Sequence, residues 1–152
     1  MEPIASGGNV WQQRVWLADD NSGMRIVTVA ALARAGYEAR SFHSGLALLE
    51  STCEIMPSSL PDLIISDIHM PELTGLELVD ELRRRMLDIP VILMSAAIPH
   101  GDRRLLEPGI CVLEKPFSWR ELKQLVTFGL VQKFDRGDMG ADHRLLGPKL
   151  RG

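Results

Sequence analysis

The sequence predicts an α/β fold built on a parallel sheet, and three observations carry that prediction. Short apolar runs suited to buried strands alternate with segments of helical period. Three of the runs end directly in charged residues: Asp19-Asp20 after Val15-Trp16-Leu17-Ala18, Asp67 after Leu63-Ile64-Ile65-Ser66, and Lys115-Pro116-Phe117 after Cys111-Val112-Leu113-Glu114. The 152 residues, 45% apolar and 24% charged, suit one soluble domain with a proper core and leave no room for a second.

Five strands are expected, at Val15 to Ala18, Glu38 to Phe42, Leu63 to Ser66, Val91 to Met94 and Cys111 to Glu114. After the first, Met24, Val27, Thr28, Ala31, Leu32 and Ala35 recur at intervals of three and four, which predicts one buried helical face stopped by Gly36. A second helix runs from Ser44 to about Cys53, followed by a proline- and serine-bearing loop through Pro61. The third follows Pro71 and Gly75, carries Leu76, Val79, Leu82 or Arg83, and Met86 on one side, and ends near Asp88. Proline and glycine bracket the interval from Pro99 to Gly109, leaving about six residues for a helix, far below a length stable without packing. The fourth helix is therefore predicted to be short or irregular. Ser118-Trp119-Arg120-Glu121 has capping-box spacing, so the last helix should begin there and turn Leu122, Leu125, Val126 and Gly129 to the sheet. Residues 1–13 read as an N-terminal extension, 14–134 as the folded domain, and 135–152 as a flexible tail with little apolar period.

Charge and composition exclude several function classes. A formal net charge of -3 gives no electrostatic reason to expect DNA, RNA or an anionic membrane, and Arg83-Arg84-Arg85 reads as a solvated helical face. Cys53 and Cys111 lack CxxC spacing and read as buried thiols. Trp11 and Trp16 read as packing residues, and His43, His100 and His143 show no ligand spacing. With no leader-like segment and no run long enough to span a bilayer, the expected location is cytoplasmic.

Ligands of open parallel sheets bind beyond the carboxyl ends of the strands, and Asp19, Asp20, Asp67, Ser95 and Lys115 all fall there. Three carboxylates crowded together repel one another unless a cation sits among them. A hard divalent ion such as Mg²⁺ relieves that repulsion and can accept a phosphoryl oxygen. Asp67 is then a candidate nucleophile forming an acyl phosphate, Lys115 balances charge on the transferring group, and Ser95 can donate to a phosphoryl oxygen.

The same islands resemble the motifs of a response regulator receiver domain of bacterial two-component signalling. The matching stretches are Val15 to Asp20, Leu63 to Pro71 with Gly75-Leu76-Glu77-Leu78, Pro90 to Ala96, and Glu114-Lys115-Pro116-Phe117, in the family's order over about Arg14 to Gln132. The resemblance implies a flavodoxin-like three-layer (βα)5 fold with strand order 2-1-3-4-5. It implies Asp67 as phosphoacceptor, with Asp20 and Asp67 binding Mg²⁺ directly, Asp19 through water, and the His69 backbone carbonyl supplying a further ligand. Ser95 occupies the hydroxyl position of the family's switch and Lys115 its lysine position, before an expected cis Lys115-Pro116 bond. The donor would be a histidine kinase or histidine phosphotransfer protein. Other implied partners are an unidentified downstream protein and a second copy of the chain, with no direct nucleic-acid contact. The chain would be a signalling module, catalysing only its own phosphorylation and dephosphorylation.

Two departures bear on output. Val112 stands where receivers usually carry an aromatic ring, and the curtailed fourth helix falls on the surface most receivers use for dimerisation or output. His69 and Ala97 occupy positions that tune phosphate lifetime in the family, and the His69 side chain is expected either to gate the hydrolytic water or to face solvent. The leading expectation is a receiver acting by protein contact. Others are the receiver portion of a longer transcription factor or output enzyme, a phosphorylation-independent binding module, and a small haloacid-dehalogenase-like phosphatase, whose opening Asp-x-Asp the chain lacks.

Overall fold

A computed structural model describes residues 12–139. Of the expected extension 1–13, residues 1–11, with Trp11, lie outside the described residues, as do residues 140–152, with His143, of the expected tail 135–152; residues 135–139 of that tail are helical instead. Five parallel strands, β1 (Arg14–Ala18), β2 (Glu38–Phe42), β3 (Leu63–Asp67), β4 (Val91–Ser95) and β5 (Ile110–Glu114), form one sheet of order β2-β1-β3-β4-β5. Among the described residues four α-helices accompany them: α1 (Ser22–Arg34), α2 (Gly45–Cys53), α3 (Gly75–Arg84) and α4 (Trp119–Met139). This is the flavodoxin-like arrangement expected from the resemblance.

The central strands β3 and β4 are buried at every residue, as strands covered on both faces must be. Alternation along each strand divides the core into two clusters. One gathers Trp16, Ile64, Val91, Leu93 and Ile110 with Leu48 of α2 and Leu78, Val79 and Leu82 of α3. The other gathers Val15, Leu63, Ile65, Ile92 and Cys111 with Leu32 of α1 and Leu122, Leu125, Val126 and Leu130 of α4. Each fully buried leucine or valine contributes about 1.5–3 kcal/mol relative to an exposed one. On α4 the expected face is buried, Gly129 included, where a Cβ would overlap Leu63 Cδ1. Ser118 and Glu121 make the expected capping box, with Glu121 N–H donating to Ser118 Oγ at 3.1 Å and Ser118 N–H to Glu121 Oε1 at 2.8 Å.

The connection from β4 to β5 contains no α-helix. Its one regular element is a 3-10 turn, Arg103–Leu106, in line with the short or irregular helix expected. The turn is fastened by side chains: Leu105 enters the core, Asp102 accepts from Arg104 N–H, and the Arg104 guanidinium bridges Asp102 and Asp80 of α3 at 2.7 and 2.8 Å. Hydrogen bonds from Arg104 hold the Asp102 carboxyl down at about 2.

Three expectations are corrected. On α1 only Thr28 and Leu32 of the expected face are buried, while Val27 is exposed, as is Ile26 beside it. Because α1 packs over β1 and β2 at one edge of the sheet, a narrower stripe is covered than six periodic residues suggested. Cys53 is exposed and accepts a hydrogen bond from Arg85, whereas Cys111 is buried. The third helix ends at Arg84, so Met86 lies beyond it, exposed rather than on the buried side.

Met86 instead closes a Schellman cap. Leu87 N–H reaches Leu82 O and Met86 N–H reaches Arg83 O, with Met86 at φ 63°. Gly36 makes the same cap after α1 at φ 100°, without the Cβ penalty. Met86→Gly should therefore stabilise the fold by about 1 kcal/mol, seen as a higher urea midpoint with unchanged slope. A lower midpoint would contradict the assignment.

Candidate phosphoacceptor site

Backbone pairing delivers each site residue to one edge of the sheet. Ladder bonds extend just past the strands: Asp19 N–H donates to Phe42 O at 3.2 Å, Ile68 N–H to Met94 O at 2.9 Å, and Lys115 N–H to Ser95 O at 2.9 Å. Asp67 and Ser95 are themselves the last residues of β3 and β4, one residue longer than the sequence suggested. Because the side chains stand on paired backbone, little conformational freedom remains to be lost when a ligand arrives.

The five residues singled out from the sequence do converge at this edge. One carboxylate oxygen from each of Asp19, Asp20 and Asp67 lies within 4.8 Å of the other two. Lys115 Nζ stands 3.1 Å from Asp67 Oδ1. Asp19 and Asp67 are buried and Asp20 is exposed. Asp19 Oδ1 accepts the Asn21 N–H at 2.9 Å, so one of its oxygens is already engaged. Ser95 is buried, and its Oγ accepts the Ala97 N–H at 2.9 Å. The Lys115-Pro116 peptide is cis, as expected. The His69 side chain is exposed, which favours its solvent-facing alternative over the gate. Val112 is half-buried against the first core cluster.

Burial pushes the Asp67 carboxyl above its ordinary value, and the neighbouring Asp19 and Asp20 charges push the same way. Lys115 opposes them without winning. Folded Asp67 thus binds more protons than unfolded Asp67, and stability falls as pH rises from 3.8 through the raised value. Asp67→Asn removes that cost. At neutral pH without divalent ions it should unfold at higher urea than wild type, and the gap should close below pH 3.8. An equal or lower midpoint at neutral pH would contradict this electrostatic reading.

These groups fit a hard cation by their chemistry: three oxygen donors, two of them buried, carry more negative charge than one lysine offsets. Among the described residues no other group of three such donors comes together. In the arginine run, Arg84 and Arg85 are exposed, as a solvated face should be, and pair with Glu81, whereas Arg83 is half-buried and donates to Leu87 O and Ile89 O. Trp16 is buried against Phe42, with Arg40 over both rings, so it packs rather than forming a platform. No described helix is long and apolar enough to cross a membrane.

Sequence reasoning placed Gly75 in a matching motif without its contact at the site, and it missed Arg25 altogether. Gly75 opens α3 where a Cβ would overlap the Asp67 carbonyl oxygen, a tertiary constraint without local signature. Arg25 of α1 donates from Nη1 to the Asp19 carbonyl at 2.8 Å, and nothing in its spacing announces that contact. The Asn21 cap and the Thr74-x-x-Glu77 capping box that start α1 and α3 also went unread, although each carries a local sequence signal.

Comparison with known proteins agrees with this geometry. The family model described as the response regulator receiver domain matches residues 15–127. The DNA-binding transcriptional regulator NtrC of Escherichia coli K12 is 40% identical over 117 residues, which are 74% of this chain and 24% of that protein. Among solved structures, the beryllofluoride-activated NtrC receiver domain is 33% identical at a TM-score of 0.64, covering 79% of this chain and 95% of that one. The response regulator TrrA of Thermotoga maritima, in complex with Mg²⁺-BeF, is 30% identical at a TM-score of 0.65, covering 78% and 100%. The chain thus spans about a quarter of the length of the curated relative and nearly all of the two receiver structures.

Proposed function

This chain belongs to the response regulator receiver family, and from that premise we propose that Asp67 accepts a phosphoryl group from a histidine kinase or histidine phosphotransfer protein. The observation that carries the proposal is the pairing of Asp67 with Lys115 at 3.1 Å beside two further carboxylates. An Asp67 oxygen attacks phosphorus, the bond from phosphorus to the donor breaks, and an acyl phosphate remains on the chain. Lys115 then exchanges its carboxylate partner for the phosphoryl group, and Ser95 donates its hydroxyl to a phosphoryl oxygen. The hydroxyl proton is available, because the Ala97 N–H contact uses Oγ only as an acceptor. Asp19, Asp20, Asp67 and the His69 carbonyl would hold Mg²⁺, whose role is to neutralise charge on the transferring group. The complex of TrrA with Mg²⁺-BeF supports that ligand class for this pocket.

The chain then acts as a signalling module by phosphorylation-dependent protein contact. A second reading, in which it serves as the receiver portion of a longer regulator with a DNA-binding output, is favoured by its covering 24% of NtrC. Intact-mass measurement after incubation with acetyl phosphate tests the shared mechanism. One phosphoryl adduct is expected with Mg²⁺ and none with a chelator. No adduct in either condition would refute the mechanism.

A further inference from the structure

We propose that Arg25 is a positioning residue for the cation pocket, fixing the Asp19-Asp20 turn so that both carboxylates face Asp67; the inference rests on the pocket reading above. Arg25 lies one turn into α1, where its own N–H donates to Asn21 O at 3.0 Å. Its half-buried side chain doubles back, and Nη1 donates to the Asp19 carbonyl at 2.8 Å. Two further bonds tie the same turn: Asn21 N–H to Asp19 Oδ1 at 2.9 Å and Met24 N–H to Asn21 Oδ1 at 2.9 Å. The turn linking β1 to α1 is therefore held from below by the β2 ladder through Phe42 O, and from the side by the Asn21 cap and Arg25.

Of these restraints, only Arg25 grips the carbonyl between the two acids, which would swing if the Asp19-Asp20 peptide plane turned. Asp20 needs that restraint most, being the exposed member of the three. A charged donor on a carbonyl is also worth more than a neutral one. Contacts that orient ligands without touching the ion typically change metal affinity about 10–100-fold when lost.

Position and charge make opposite predictions for this residue, so they can be separated. Arg25→Met keeps the apolar stem and removes both the hydrogen bond and the charge. If Arg25 acted only through its charge beside a cation site, that variant would bind Mg²⁺ more tightly. Positioning requires weaker binding, by about tenfold. Arg25→Lys restores the charge and a single donor, and should fall between wild type and Arg25→Met.

The experiment is Mg²⁺ titration of the full chain followed by amide NMR, with urea unfolding of each metal-free protein measured alongside. The proposal expects wild type, Arg25→Lys and Arg25→Met to bind in descending affinity, and the signals of Asp20 and Asn21 to broaden in the variants before any ion is added. Unchanged or tighter binding by folded Arg25→Met overturns it. Should Arg25→Met fail to fold, Arg25→Lys decides: weaker binding than wild type supports positioning, and equal binding overturns it. Failure of wild type itself to bind Mg²⁺ would contradict the pocket reading as a whole, an outcome distinct from normal wild-type binding with indifferent Arg25 variants.

Discussion

Gly75→Ala should cost about 3 kcal/mol of stability or more and remove the phosphoryl adduct that wild type acquires from acetyl phosphate. The cause is a backbone collision. A Cβ at residue 75 would overlap the Asp67 carbonyl oxygen and press on Ile68 Cα and Leu93 Cδ2, at 3.0 and 3.1 Å. Two of those three atoms belong to the main chain at the end of β3 and cannot swing aside. Relief requires α3 to withdraw or β3 to tilt, and either motion breaks the bond from Gly75 N–H to Ile68 O at 2.8 Å. The gain in helix propensity from glycine to alanine, at most about 1 kcal/mol, does not offset this. Urea unfolding and intact mass on one sample would check both halves; wild-type stability with a normal adduct would show that the close approach has no consequence.

Lys115→Ala should leave the chain folded but slow phosphorylation from acetyl phosphate by about 10²–10³, the usual loss when one positioned donor to developing charge is removed. In the resting pocket Lys115 is the cation that opposes burial and the two neighbouring acids at Asp67. Without it the Asp67 carboxyl rises further and the nucleophilic carboxylate becomes scarcer at neutral pH. The pH profile of the variant should accordingly shift to higher pH. A rate within a few-fold of wild type, with an unmoved profile, would deny Lys115 its role.

The site was more legible in the sequence than the packing around it, for a physical reason. A strand of a parallel sheet that is covered on both faces reads as a near-continuous apolar run, so the charged residue that ends each such run marks the ligand-binding edge. That reasoning brought Asp67 and Lys115, 48 positions apart by subtraction of their numbers, to a contact the structure puts at 3.1 Å. Helix periodicity is less constraining. The apolar positions of α1 span a wider arc than a helix at the sheet edge can bury, so Val27 and Ile26 stay in solvent.

Met86 has the right periodic place for an apolar stripe, whereas a backbone cap with φ 63° fixes what it does. Arg25 and Gly75 were out of reach for a different reason. Their partners are main-chain atoms at the strand ends, and no side-chain pattern encodes a contact with a carbonyl oxygen. The short β4 to β5 link, by contrast, is legible in its prolines and glycines, while its fastening by Arg104 to Asp80 emerges only with the fold. Val112 is half-buried on β5 beside that link.

The central claim is the identity of the residue that carries the phosphoryl group. Borohydride reduces an acyl phosphate to an alcohol, so chain phosphorylated in the presence of Mg²⁺, then reduced and digested, should yield homoserine at position 67 in the peptide spanning β3. Asp67→Asn should yield none. Homoserine at Asp19 or Asp20 instead, or a phosphoryl adduct that survives in Asp67→Asn, would contradict the assignment of Asp67 as the phosphoacceptor.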